Sequence, residues 1–154
     1  MDAVYITRMD SAFAATTGFK TMLKLVTPTS FNIKILEMAI FTNGVTSSAV
    51  PATWRLFTSD ETTAGTGSGT AVTTQIKGRP QAHGLTITQK HSAEGTTYTY
   101  VKDGFIPQFM GSLIIPNPLG LEEESPGDAA DSIGIGINVT ANVDVLTWLK
   151  WCRA

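Results

Sequence analysis

The chain is poor in the residues that carry most protein chemistry. A single cysteine, Cys152, excludes an internal disulfide. With only two histidines, His83 and His91, beside it, a closed zinc site is not expected. Charged residues make up 16% of the 154 positions, against ~25% in an average domain. Neither sign dominates, since 11 Lys and Arg face 13 Asp and Glu. A protein that holds a polyanion by counterion release needs a basic excess or stripe. The nearest approach here is Lys77-Gly78-Arg79, so nucleic acid is not an expected partner. No apolar run nears the roughly 18 residues of a membrane span. The opening Met-Asp-Ala-Val-Tyr lacks the basic and apolar regions of a secretory signal. The expectation is a soluble chain with no membrane partner, kept in a reducing compartment or reaching the outside without secretion.

What is present points to strands. Threonine occurs 23 times, glycine 14 times and proline 7 times. Threonine favours strands and glycine marks turns, so the composition predicts an all-β protein. The length suits one domain, which buries roughly 68–70% of its unfolded surface.

Along the chain, residues 3–8 read as a short strand or extended arm, and 9–18 as an arm or loop without clear period. Residues 19–26 alternate well, and 27–30 form a turn. The longest strand spans 31–42. Its apolar phase slips by one residue at Ile35-Leu36, as a β-bulge would cause. Asn43-Gly44 predicts a turn, Pro51 opens a strand over 53–58, and the small polar residues 59–70 predict a mobile loop. Strands follow over 71–77, 85–89 and 98–102, with a hairpin predicted at Asp103-Gly104. Two short apolar pieces over 105–115 are broken by Pro107 and Gly111, and Pro116-Asn117-Pro118 is a rigid turn. After an acidic loop over 122–131, residues 133–139 and 143–151 alternate. Gly134 and Gly136 take every second place in the first of these, which predicts that another backbone or sheet packs close there. Eight to ten short strands without a convincing helix predict a jelly-roll-like antiparallel β-sandwich. Residues 1–17 are assigned to an N-terminal strand or arm and 18–154 to a single β-sandwich domain.

Catalytic patterns are not found, and no enzyme is expected. The histidines form no local ligand motif, so no metal and no cofactor is assigned. Gly65-Thr66-Gly67-Ser68-Gly69 lacks the Lys-Ser/Thr and the following helix of a phosphate loop, and it does not fit a nucleophile elbow. Cys152 beside Trp151 reads as a packed thiol. The pairs Asp60-Glu61 and Glu122-Glu123-Glu124 are loop-bound neighbours rather than carboxylates facing across a cleft. Trp148 and Trp151 lie three apart, so in a strand they face opposite sides. Sparse charge in a small β-domain favours an interaction protein with apolar surface kept for a partner.

The order of features resembles the small capsid decoration (cement) proteins of tailed bacteriophages. Gly18-Phe19-Lys20-Thr21 leads a strand, and a long strand over 33–41 contains Glu37. Val50-Pro51-Ala52-Thr53-Trp54-Arg55-Leu56 follows a small-residue loop, and a Thr/Gly-rich stretch spans 63–73. Leu113-Ile114-Ile115-Pro116-Asn117 and Ile133-Gly134-Ile135-Gly136-Ile137 come later. The likeness covers most of residues 18–145. It implies a jelly-roll-like homotrimer on the outer surface of the virion, made in the host cytoplasm, that clamps the major capsid protein lattice where capsomers meet. It also implies an extended terminal arm, here residues 1–17. The aromatic end Trp148-Leu149-Lys150-Trp151 departs from the acidic ends of such proteins. Candidate contact residues are Val4, Tyr5, Ile6 and Phe13 in the arm, with Phe105 and Phe109. For 105–109 and for 133–139, ordinary core packing is the competing reading. The alternatives are a carbohydrate- or host-surface-binding module, for which Tyr98 and Tyr100 share a strand face, and a tail or connector subunit.

Overall fold

The computed structural model describes residues 2–44, 50–60, 65–126 and 131–154. Among them are twelve strands and no helix. They are β1 (Val4–Arg8), β2 (Phe13–Ala15), β3 (Gly18–Val26), β4 (Ile33–Gly44), β5 (Ala52–Asp60), β6 (Val72–Lys77), β7 (Thr86–Gln89), β8 (Tyr98–Ile106), β9 (Ser112–Pro116), β10 (Glu123–Glu124), β11 (Asp131–Val139) and β12 (Val143–Arg153). Two antiparallel sheets form a sandwich. The first runs β10-β4-β12-β1-β6, with β2 also on β12 and β9 also on β4. The second runs β7-β3-β11-β5-β8.

This is the jelly-roll arrangement. The order β1/β2-β12-β4-β9 in one sheet and β3-β11-β5-β8 in the other is that of two interlocked Greek keys. The excursion between β5 and β8 is an addition to it. β6 extends the first sheet beyond β1 and β7 extends the second beyond β3. Both additions lie on the same side of the sandwich.

Period-two alternation makes the core. In β11, Ile133, Ile135 and Ile137 are buried and meet Leu56 and Trp54 on β5 and Leu23 and Leu25 on β3. From the first sheet, Tyr5, Ile33, Ile35, Ile40, Leu149 and Trp151 complete the layer. Tyr5 and Trp151 stack with centroids 4.5 Å apart. The buried Trp151 indole N–H needs an acceptor, and Thr7 Oγ1 takes it at 2.9 Å.

The phase slip at Ile35-Leu36 is a bulge. Trp151 pairs with Ile35 and Lys150 with Glu37, which leaves Leu36 as the extra residue. Its displaced backbone is satisfied by one side turn: Asn117 N donates to Leu36 O at 2.8 Å and Asn117 Nδ2 to Ile35 O at 2.7 Å.

Several expectations are corrected. Asn43-Gly44 is the end of β4, not a turn, and Gly44 N donates to Gln108 O at 2.8 Å. Asp103-Gly104 lies inside β8. Gly104 is needed for close packing rather than for a bend, because a Cβ there would lie 2.9 Å from Trp54 Nε1. Gly134 and Gly136 do allow a close approach, but what approaches is a pair of rings, Phe57 and Phe19, lying across the outer side of the second sheet. Residues 9–18 contain β2, which pairs with β12. Part of the predicted acidic loop is strand: β10 lies on β4 and Asp131 opens β11. Of the predicted mobile loop, Ser59 and Asp60 finish β5, residues 61–64 lie outside the described residues, and Thr66 bridges to Ala93. Within residues 1–17, β1 is an interior strand with β12 on one side and β6 on the other.

Candidate functional site

Among the described residues the titratable groups do not converge. His83 Nδ1 accepts from Leu85 N at 3.1 Å within its own loop. His91 is buried, with Nε2 2.9 Å from Thr88 Oγ1. Among the described residues no group of three His, Cys, Asp or Glu is placed to hold a metal ion. Glu123 is paired across the open edge of the sandwich with Lys102 at 3.0 Å, and Lys102 also donates to Asn117 Oδ1 at 2.7 Å. Asp60 is exposed at the end of β5, and its neighbour Glu61 lies outside the described residues. Cys152 is half-buried, and burial pushes its thiol pKa up, which disfavours the reactive thiolate.

The aromatic residues separate by face. Trp54 and Trp151 are core, and Trp148 lies outward on β12. Tyr98 and Tyr100 do share the outward face of β8, where Tyr98 is half-buried and Tyr100 stays 46% exposed. Phe19, Phe57, Tyr98 and Tyr100 form one cluster, with Phe57 and Tyr98 4.5 Å apart and Arg55 4.4 Å over the Tyr100 ring. The Tyr98 hydroxyl accepts from Gly95 N and donates to Glu94, and burial raises its pKa. Glu94 also accepts from Thr21 N at 2.8 Å.

What the structure does present is a rigid apolar tip between β8 and β9. From residue 104 to residue 121 the chain carries no charge. Within this run, Phe105 is 75% exposed, Phe109 44% and Met110 74%. Val50, 50% exposed, is tied to it by Gln108 Nε2, which donates to Val50 O at 2.6 Å and to Thr140 Oγ1 at 2.8 Å. Thr42 pins both ends of the turn. Its Oγ1 donates to Pro107 O and accepts from Gly111 N, while its N–H donates to Gly111 O. The bond from Gly44 N to Gln108 O is the sixth. Met110 adopts φ 50°, a left-handed conformation that costs a non-glycine residue roughly 1–2 kcal/mol. Strain of this kind persists only where the surroundings over-determine it, and it gathers at functional positions.

A second open surface is the outer face of the first sheet. Its outward positions are Asp144, Leu146, Trp148 and Lys150 on β12, Glu37, Ala39 and Phe41 on β4, and Ile6 and Arg8 on β1. Ile114 on β9 (54% exposed) and Val72 on β6 (39%) widen it.

The residues singled out from sequence therefore divide. Phe109 stands at the tip, and Phe105 lies just before it on the outward side of β8, opposite Thr53. Val4 and Ile6 lie half-buried on the open face of β1. Tyr5 is core, because one-residue steps along β1 alternate between the two sides. Phe13 packs against the core, as does the whole apolar side of 133–139. Met110 and Val50 were missed. The signal available for Met110 was the long uncharged run around a Pro-x-x-x-Gly break.

No family profile matches this chain, and no curated protein matches it. Among solved structures, a chain of the T13 IBDV viral particle aligns over 97% of this chain at 11% identity with a TM-score of 0.23. This chain spans 38% of that one. A likeness so slight supports neither fold nor function.

Proposed function

We propose that the chain is a virion structural protein that decorates the outside of a capsid and adds contacts across the seams between major capsid protein subunits. The observation that carries this reading is the tip. Six hydrogen bonds and one strained residue hold uncharged Phe109 and Met110 toward solvent. A pre-set apolar knob loses little conformational freedom on docking, so more of its contact energy appears as affinity. Sparse charge makes such an attachment insensitive to salt. The order of turns and strand starts supports the same reading by its resemblance to cement proteins. The role is binding, with no reaction assigned. The glycan-binding alternative is not favoured, because the Tyr98 ring packs on Phe19 and Phe57 and Arg55 takes one face of Tyr100, which leaves no pair of bare rings on this strand.

The test is co-sedimentation of the purified chain with empty capsids of the virus that encodes it. The native chain is expected to pellet with the capsids at both low and high salt. M110D is expected to weaken binding about 10–100-fold, the effect of removing an interface anchor. Native chain left in the supernatant, or M110D binding as well as native, would overturn the reading.

A further inference from the structure

We propose that the outer face of the first sheet is a self-association surface, on which a second copy of the chain packs face to face about a two-fold axis crossing β12 at Thr147. The outward positions of β12 read Asp144, Leu146, Trp148, Lys150: negative, apolar, apolar, positive. Laid antiparallel on itself, this row meets its own complement. Asp144 of each copy stands over Lys150 of the other, and Leu146 stands over Trp148. Lys150 has room for a second anion, since its present partner Glu37 is 4.0 Å away.

The flanking strands obey the same operation. On β4, Phe41 and Ala39 face outward two residues apart, so each Phe41 falls over the small Ala39 of the second copy. On the other flank, Arg8 pairs with Trp148, and its two-fold counterpart is the place where β1 leaves β12. A groove of about 460 Å³ opens there, bordered by Met9, Asp10, Ser11 and Leu146. The Asp10 carboxylate at this groove, 32% exposed and paired with Lys90, offers a negative group to the incoming Arg8 guanidinium. Isologous interfaces demand such self-complementarity of one patch.

The size also fits. Four strands, β9-β4-β12-β1, at ~4.8 Å spacing and four outward rows at ~6.8 Å give a footprint of roughly 520 Å² per copy, while β6 begins beside Arg8 and has no counterpart across the axis. The total of about 1,000 Å² lies just below standard interfaces, at the size of a transient dimer.

The experiment is sedimentation equilibrium of the full chain, with circular dichroism as a check on folding. The native chain is expected at twice 16.4 kDa. D144K sets lysine against Lys150 and K150D sets aspartate against Asp144, and each is expected to raise the dimer dissociation constant at least about 10-fold. D144K/K150D recreates the pair with its signs exchanged and is expected to return within about 3-fold of native. A native monomer, a mass of three chains as the cement resemblance implies, or a double variant no better than the singles would overturn the two-fold. M110D is expected to keep the native dimer mass, so failure of capsid binding and failure of the two-fold are separable.

Discussion

The two sheets treat their outer faces differently. The second sheet covers the centre of its own. Phe19 and Phe57 lie across Gly136 and Gly134, Tyr98 and Tyr100 complete the cluster, and Phe57 is fully buried although it points away from the core. Glycine on the central strand makes the recess that the rings of the flanking strands fill. The first sheet has no such roof. Its central strand carries Leu146 and Trp148 outward, and Leu146 stays 38% exposed. The centre of one face is thus covered within the monomer, with Phe105 and Tyr100 left bare along its β8 edge, and the other is left for something outside it. Apolar surface that the chain covers with its own side chains belongs to stability, and apolar surface it leaves bare belongs to association.

Mutations on the two faces test that contrast. F57A should cost about 3–5 kcal/mol, as for a buried core phenylalanine, and lower Tm by roughly 10 °C in thermal unfolding. A loss below about 1 kcal/mol would mean that the roof adds nothing. G136A should cost about 1–3 kcal/mol, because its methyl group meets the Phe19 ring. Urea denaturation would measure it, and an unchanged midpoint would show that the ring moves aside freely. R55A removes the cation from the Tyr100 face and should cost about 0.5–1 kcal/mol. On the open face, L146A should change monomer stability by less than about 0.5 kcal/mol. A larger loss would show that this face, too, is closed from within.

The smallest effect lies at the margin of the open face. The Lys90 ammonium holds the Asp10 carboxyl at about 2, below its ordinary 3.8. A depressed carboxyl contributes stability above its unfolded pKa and loses it as pH falls through the folded value. The Asp10 contribution is therefore present above pH 3.8 and fades toward pH 2. NMR titration of the Asp10 side chain should find its midpoint near 2, and D10N should flatten the acid limb of the stability profile. A midpoint near 3.8 would remove Lys90 as the cause.

How much of this was legible in the sequence depends on the length scale of each feature. Strands with five or more alternating residues, such as β3, β6 and β11, announce themselves, and even the Leu36 bulge shows as a phase slip. The two- and three-residue strands β10 and β2 carry no period and are made by pairing with β4 and β12. Asn43-Gly44 and Asp103-Gly104 misled because a glycine that permits a bend and one that admits a close neighbour, the Gln108 carbonyl at Gly44 or the Trp54 indole at Gly104, look alike in one dimension. For the site, hydrophobicity pointed to Phe105 and Phe109, yet it pointed equally to Tyr5, which the pleat turns inward onto Trp151. Met110 left only the uncharged run around it as a trace, since its exposure follows from a left-handed turn fixed by Thr42, 68 positions earlier in the chain.

The pairing of β1 with β12 has a consequence for how the protein is made. The Trp151 indole is satisfied by Thr7, 144 residues away, and the ladder between these strands runs through the middle of the first sheet. During vectorial synthesis β1 leaves the ribosome first and waits for its neighbour until nearly all of the domain has emerged. Meanwhile Tyr5, Met9 and the inner side of β4 lack the strand that buries them. A nascent chain of this kind gains by staying bound to a chaperone until β12 has emerged, and stalling translation before β12 should leave a species far more sensitive to protease than the complete sandwich.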